Sequence, residues 1–116
     1  VQVDVEGELP EDARVAAAFL QIIREASTNA TKHAQAHRVH VRLWRETSEG
    51  SAVARMTVSN DGAPAPVSYR EGTGIPGMRH VAQDLGGSLE VHTAQPFTLA
   101  ASIPLSSNAT VQRRSS

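Results

Sequence analysis

Five short stretches of the chain alternate apolar and polar residues, which is the pattern of a β-strand with one buried face. They are VQVDV, RVHVRLW, ARMTVS, SLEVHTA and FTLAASIPL. In the second stretch the alternation predicts that Val39, Val41 and Leu43 point inward. The intervening RETSEGS is predicted to turn the chain, so residues 38–59 are expected to form a hairpin.

Two other stretches repeat apolar residues every three or four positions, which predicts helices. The first helix is expected from Pro10, at its first position with Glu11 and Asp12 behind it, to about Ala34. Its predicted core face consists of Phe19, Ile22, Ile23, Ala26 and Ala30. The second helix is expected from Ile75 to Leu85, closed by Gly86 and Gly87.

The resulting order is strand, helix, strand, strand, loop, helix, strand, strand. This order predicts the α+β class: a two-layer sandwich with a mixed, mostly antiparallel sheet and its helices on one face. One domain is expected over residues 1–105, and the polar residues 106–116 are predicted to be a disordered tail.

Composition narrows the functional classes. A net charge of -1 argues against a nucleic-acid-binding surface, and the absence of cysteine excludes disulfides and thiolate-held metal. No apolar stretch reaches membrane length and no signal peptide is visible, so a reduced, intracellular setting is compatible. Aromatic residues make up only 3% of the chain, so the core must be mostly aliphatic.

The first candidate site lies on the first helix. At 100° per residue, Glu25, Asn29 and Lys32 share a narrow stripe that borders the apolar face. An amide oxygen, a carboxylate and an ammonium suit a metal-bound phosphate. Lys32 is the only lysine among eleven basic residues, which favours a need for a compact charge there. The alternative is a solvated helix face.

Two loops supply further candidates. GTGIPG places Gly72, Gly74 and Gly77 just before a helix, where free N–H groups and the helix dipole attract anions. The context fits neither a Rossmann fold nor a P-loop, and the alternative is a flexible loop with a helix cap. In VSNDGAP, Asn60 or Asp61 at a strand end can accept a hydrogen bond from an adenine amine. The alternative there is an ordinary turn.

Together these segments resemble the GHKL (Bergerat-fold) ATP-binding domain. The sequence looks most like the catalytic domain of sensor histidine kinases of two-component systems, of the NarL-partner type. REASTNATKHAQAHRVHVRL is similar to the N box, VSNDG to the first glycine box, and GTGIPGMRHVAQDLGGSLEV to the second. The resemblance covers residues 1 to about 105.

The resemblance implies ATP and magnesium as ligands. It implies that Asn29 ligates the magnesium ion, and that Glu25 is the catalytic residue and supports the shell of the metal. The nucleotide-binding residues that it implies are Asn29, Lys32, His33, Asn60, Asp61, Gly62, Gly72, Thr73, Gly74, Ile75, Gly77 and Met78. The segment from Ala63 to Glu71 matches the ATP lid.

The sequence departs from the family pattern in the first glycine box. Asn60 stands where the family has an aspartate, and Pro64 replaces the second glycine. An asparagine carbonyl can accept the same hydrogen bond without charge assistance, but its amine clashes with the adenine amine unless the side chain is turned. These departures put the affinity for ATP in doubt more than the mode of binding.

The resemblance also implies partners. A histidine on a separate dimerisation domain, absent from this chain, would accept the γ-phosphate, and a response regulator would act downstream. The isolated chain is thus expected to bind ATP without phosphorylating itself, as a cytoplasmic domain of a parent kinase that can be membrane-anchored. Two alternatives stay open: an anti-sigma-factor serine kinase of the same fold, or a degenerate module that binds partners but not ATP.

Overall fold

The first helix begins later than its sequence predicts. In the computed structural model, which describes residues 2–33, 37–61, 74–92 and 97–105, helix α1 spans Ala13–His33. Oδ1 of Asp12 accepts a hydrogen bond of 2.9 Å from the backbone N–H of Arg14 and a weaker one of 3.4 Å from that of Val15. The expectation that Pro10 opens the helix was wrong, because Asp12 is the capping residue.

The strands form a single five-stranded sheet. They are β1 (Gln2–Glu6), β2 (Arg38–Ser48), β3 (Ser51–Asn60), β4 (Ser88–His92) and β5 (Phe97–Pro104). Their order in the sheet is β1-β2-β3-β5-β4. Strand β1 runs parallel to β2, and the other neighbours are antiparallel. The predicted mixed, mostly antiparallel sheet is therefore confirmed.

The β2–β3 hairpin is longer than predicted. Its strands continue until Ser48 pairs with Ser51, so the turn consists of Glu49 and Gly50 alone. Both residues have positive φ, 53° and 81°, which is the backbone of a tight two-residue hairpin turn. The predicted seven-residue turn RETSEGS was too long, because most of it remains paired in the ladder.

One face of the sheet holds the core. Side chains that share this face include Val41 on β2, Val58 on β3 and Leu99 on β5, which are paired in register and all buried. Helix α1 contributes Phe19 and Ile22, both with no exposed surface. The predicted inward set on β2 and the predicted core face of α1 are confirmed, except that Ile23 is only partly buried.

The second helix, α2 (Ile75–Asp84), packs beside α1 and against β4 and β5. It ends one residue earlier than predicted, and Gly86, with φ of 80°, turns the chain after it. The N–H groups of Gly86 and Gly87 donate to the carbonyls of Gln83 and Ala82, which satisfies the last turn of the helix. The layer of helices thus lies on one side of the sheet.

The edge strand β1 is less covered than the rest. Val3 and Val5 lie on the core side of the sheet, in register with Val39 and Val41, but they are 40% and 56% exposed. Neither helix of the described chain is long and apolar enough to cross a membrane. The predicted tail, residues 106–116, lies outside the described residues.

Candidate functional site

The polar stripe of α1 meets the start of α2 at Glu25. Asn29 is buried with 4% of its surface exposed, whereas Glu25 and Lys32 are exposed. Since Glu25 and Asn29 are four residues apart, they follow one another along the helix by about one turn. The structure therefore places the three predicted side chains at the border of the core, as their spacing indicates. The backbone of His33 ends α1, and its side chain lies outside the described part.

Glu25 meets the start of α2. A Cβ atom built on Gly74 would lie 3.1 Å from Oε2 of Glu25 and 3.3 Å from its Cδ. Gly74 has φ of 89°, and no side chain caps the helix that begins after it. The positive φ explains the glycine, because residues with a side chain rarely adopt this backbone conformation.

A small cavity opens at this contact. It has a volume of about 160 Å³ and is lined by Gln21, Glu25, Gly74, Gly77 and Met78. Gln21 was not among the predicted site residues, although it stands four residues before Glu25 on the same stripe. Its spacing is the signal that could have found it.

The remaining predicted residues of α2 have two different environments. Ile75 and Met78 are buried to 2% exposure and belong to the core, with Met78 also at the edge of the small cavity. Gly77 is exposed, and a Cβ built on it would meet no atom within 4 Å. The backbone at Gly77 is thus open to a ligand, whereas Ile75 mainly anchors the helix.

Asn60 ends β3 on the core side of the sheet. It pairs in register with Val39 and with Phe97, and it is 7% exposed. Its amide nitrogen donates to the backbone carbonyl of Asp61 at 2.6 Å. Its Oδ1 accepts no hydrogen bond from a described residue, so the carbonyl oxygen is the group left for a ligand.

Asp61, one residue later, ties two elements together. Its Oδ1 accepts hydrogen bonds from the backbone N–H groups of His37 at 2.8 Å and Arg38 at 2.9 Å. These bonds, that of Arg38 first, hold the pKa of the Asp61 carboxyl below its ordinary value. The sequence did not indicate this connection, because Asp61 and Arg38 are 23 residues apart.

Asn29 and Asn60 are the two buried polar residues of the described chain. Helix α1 ends at His33, and β2 begins at Arg38, beside the end of β3. The last turns of α1 and the end of β3 therefore lie at the same end of the domain. Gly62, Gly72 and Thr73, together with the predicted lid, fall outside the described residues.

A larger cavity, of about 610 Å³, lies toward the opposite, hairpin end of the sheet. Its lining includes Leu9, Phe19, Arg45 and Leu105, and none of the predicted site residues.

The oxygen ligands on α1 meet part of what a hard divalent cation requires. Within the described ranges, no three His, Cys, Asp or Glu side chains are placed to hold a metal ion together. Magnesium needs only one or two protein oxygen ligands when phosphate oxygens and water complete its shell. The carboxylate of Glu25 and the amide oxygen of Asn29 fit that requirement.

Comparisons with known proteins agree on one family. Residues 15–107 match the family described as histidine kinase-, DNA gyrase B-, and HSP90-like ATPase. Sensor histidine kinase MctS of Rhizobium johnstonii is 32% identical over 84% of this chain. Sensor histidine kinase DesK of Bacillus subtilis is 34% identical over 71% of it. The chain spans 22% of the length of each of these two relatives.

A solved structure shares the architecture. The blue-light activated histidine kinase EL346 of Erythrobacter litoralis superposes with a TM-score of 0.70 at 27% sequence identity. The matched region covers 90% of this chain and 38% of that one.

Proposed function

Since the chain belongs to the family of histidine kinase-, DNA gyrase B- and HSP90-like ATPases, we propose that it is the ATP-binding catalytic domain of a sensor histidine kinase. The family match and the sensor kinase relatives support this class of enzyme. The proposed nucleotide site rests mainly on one observation. Two buried asparagines, Asn29 and Asn60, lie at one end of an otherwise apolar core. Each amide has an oxygen that can accept and a nitrogen that can donate a hydrogen bond, so this end of the core has the polar groups that a polar ligand requires.

Each side chain has a role that follows from its position. Asn60 presents Oδ1, the acceptor that an adenine amine requires, because its amide nitrogen is already bonded to Asp61. Lys32 supplies a positive charge to the phosphates from the exposed end of the stripe. The open backbone at Gly77, near the positive end of α2, offers N–H groups to phosphate oxygens.

We propose that magnesium binds at this site together with ATP. Glu25 and Asn29 would hold it, and it would supply charge neutralisation to the phosphate oxygens. His33, Gly62, Gly72 and Thr73 remain proposed nucleotide contacts, as do Ile75 and Met78 through the helix that they anchor. Asp61 is assigned to the site only indirectly, because its Oδ1 holds the backbone of β2 beside it.

The proposal extends to the subtype and the partners, and the sensor kinase relatives support it. We assign the domain to the NarL-partner type of sensor kinase, in which a histidine on a separate helical dimerisation domain accepts the phosphoryl group and a response regulator takes it on. A domain of this class acts in the cytoplasm, where ATP is available. The partner-binding alternative that Asn60 had kept open is disfavoured, since its side chain retains the acceptor that adenine needs.

The proposal is tested by titrating ATP with magnesium into the domain by calorimetry. We expect Asn29→Ala to weaken binding at least about tenfold, which corresponds to about 1.4 kcal/mol. Lys32→Ala, which changes an exposed residue, should also weaken binding without affecting the fold. No binding by a folded wild-type domain would contradict the proposal.

Thr31→Ala serves as the matched control. Thr31 is an exposed polar residue of α1, about 200° around the helix from Asn29, and its Oγ1 donates to the carbonyl of Ser27. Its loss should leave the affinity for ATP unchanged. An equal weakening in Thr31→Ala and Asn29→Ala would indicate damage to the helix instead of loss of a ligand contact.

A further inference from the structure

The larger cavity, at the hairpin end of the sheet, has an apolar floor. Its volume is about 610 Å³, and the apolar residues of its lining include Phe19, Leu43, Ala54 and Leu105, each of which is at most 7% exposed. Residues 8–12, which connect β1 to α1, form another wall. An apolar side chain placed on this floor would remove further apolar surface from water, which is favourable.

The charges around this cavity are unevenly distributed. Glu8 and Glu11 are exposed, and neither forms an ion pair or a hydrogen bond with a described residue. The same wall carries Asp12, whose Oδ1 accepts hydrogen bonds from the first turn of α1. Of the two arginines in the lining, Arg45 lies on the core side of the sheet, whereas Arg55 forms an ion pair on the helix-free face. The cavity therefore has a surplus of negative charge.

Leu105, the last described residue, lines this cavity. Its backbone N–H donates to a carbonyl of β3 at 2.9 Å, which fixes the point where residues 106–116 leave the sheet. These residues, SSNATVQRRSS, include Arg113 and Arg114, no acidic side chain, and Val111 as their one large apolar residue. The chain from Leu105 to Val111 can extend to about 20 Å, which exceeds the roughly 10 Å width of a cavity of about 610 Å³.

We propose that residues 106–116 fold back and dock in this cavity as a strap. Val111 lies on the apolar floor, and the two arginines of the segment pair with Glu8 and Glu11. A polar segment of this kind has no fold of its own, so the cavity supplies the apolar surface and the fixed opposite charges that order it. The strap joins the end of β5 to the residues that precede α1. Because the cavity lies away from the proposed nucleotide site, this docking does not depend on the proposed function.

The experiment places a nitroxide label in the full chain, which has no cysteine of its own. Ser115→Cys provides the single attachment point and leaves the arginines of the segment in place. The measurement is paramagnetic broadening of backbone amide signals in an isotope-labelled sample. We expect strong broadening at Glu8, Leu9 and Arg45, which line the cavity, and none at Gly77, which lies in the proposed nucleotide site.

Neutralising either partner should release the segment. Arg113→Gln combined with Arg114→Gln should lower the ratio of docked to free segment about fivefold, because two exposed ion pairs are lost. Glu8→Gln combined with Glu11→Gln should cause the same loss from the other side. Raising the salt concentration should weaken the broadening in the unsubstituted labelled chain, since exposed charges are screened.

An exchange of charges distinguishes docking from damage to the fold. Arg113→Glu combined with Arg114→Glu should abolish the broadening. Adding Glu8→Arg and Glu11→Arg to that chain should restore it, which a misfolded variant could not do.

The matched control neutralises two carboxylates of the helix-free face. Asp4→Asn combined with Glu90→Gln should leave the broadening unchanged, because both side chains belong to ion pairs outside the cavity. An equal loss of broadening in this control and in Glu8→Gln with Glu11→Gln would overturn the assigned ion pairs.

Two results would overturn the strap itself. The first is a folded, labelled chain without broadening at residues 8–12. The second comes from mixing isotope-labelled chains that lack the nitroxide with nitroxide-labelled chains that lack the isotope. Broadening at residues 8–12 in that mixture would show that the cavity holds the segment of a second copy. Titration of ATP into the same samples tests the proposed function separately.

Discussion

Asn60 and Asp61 are adjacent in sequence, but their side chains have different tasks. Asn60 faces the core side of the sheet and donates its amide nitrogen to the carbonyl of Asp61, whereas the exposed carboxylate of Asp61 accepts hydrogen bonds from the backbone at the start of β2. The family aspartate would carry a charge at position 60. Here its replacement is accommodated because the amide nitrogen donates to the carbonyl of Asp61, which a carboxylate could not do.

The hydrogen bonds that Asp61 accepts from the backbone of His37 and Arg38 predict that the stability of the fold depends on pH. Its pKa in the folded protein is below the ordinary value of 3.8, so the ionised carboxylate favours folding. That contribution is fully present above the unfolded pKa and is lost as the pH falls through the folded pKa. We expect Asp61→Ala to lower the melting temperature at pH 7, with the difference from wild type shrinking below about pH 4.

Two further variants identify the cause. Asp61→Asn keeps an oxygen that can accept both backbone bonds, so it should retain more stability than Asp61→Ala and show a weaker dependence on acid pH. Asp84→Ala removes an exposed carboxylate from the last turn of α2 and serves as the control. A constant difference between Asp61→Ala and wild type from pH 7 to pH 3 would contradict the assignment.

At the scale of elements, the two helices present different ends to the site. In the proposed site, the C-terminal half of α1 would contribute side chains and the N-terminus of α2 would contribute backbone N–H groups. Gly74 makes their contact close, since its missing side chain leaves space for Glu25. Gly77 in the first turn of α2 and Gly87 after its end are therefore expected to have separable functions, and substitution can tell them apart.

Gly77→Ala should affect binding but not folding. Its new methyl group would enter open space, and alanine in a helix is more stable than glycine by up to about 1 kcal/mol. We expect an unchanged or higher melting temperature and a severalfold weaker affinity for ATP, because the methyl group stands where phosphate oxygens approach the backbone. Unchanged affinity in Gly77→Ala would remove this glycine from the site.

Gly87→Ala is the matched structural variant. Its Cβ would overlap the carbonyl oxygen of Ser102 and lie 2.9 Å from Cα of Ile103, so the backbone must move. Overpacking of this kind costs about 1–3 kcal/mol or more. We expect a clear loss of stability by thermal unfolding; a wild-type melting temperature would show that β5 can shift at little cost.

At the scale of the whole molecule, the site lies on the helix side of the sheet. His40 and His92 lie on the opposite, helix-free face, next to Glu6 and Glu90. Neither histidine can reach a nucleotide bound beside α1 in the same molecule. The isolated domain therefore lacks, among these strand histidines, an acceptor for the phosphoryl group.

We expect no phosphohistidine when the isolated chain is incubated with labelled ATP and magnesium, although the same sample binds ATP. The measurement is label that stays on the protein in alkali and is lost in acid. Adding a separate histidine-bearing helical domain of a suitable kinase should give label on that domain only. Acid-labile label on the isolated chain would overturn the prediction.

Much of the fold follows from local pattern. The alternation of Val39, Val41 and Leu43 fixed which face of β2 is buried, and the three- and four-residue spacing of Phe19 and Ile22 did so for α1. The start of α1 was predicted too early because proline and aspartate are both common at the N-terminus of a helix. The hydrogen bonds that Asp12 accepts from the first turn show that the helix begins after it. The hairpin turn was overestimated because polar strand ends resemble a loop.

The sequence by itself determined the stripe of Glu25, Asn29 and Lys32, because helical spacing is a local property of the chain. It also predicted that Asn60 and Asp61 lie at the end of a strand, and it left open which of the two accepts a hydrogen bond from a ligand. Only the tertiary structure decided that Glu25 lies against Gly74, that Asn60 turns its nitrogen to Asp61, and that Asp61 holds β2. These contacts depend on how the helices and strands pack against one another. No local sequence pattern encodes the distance between two elements that are far apart in the chain.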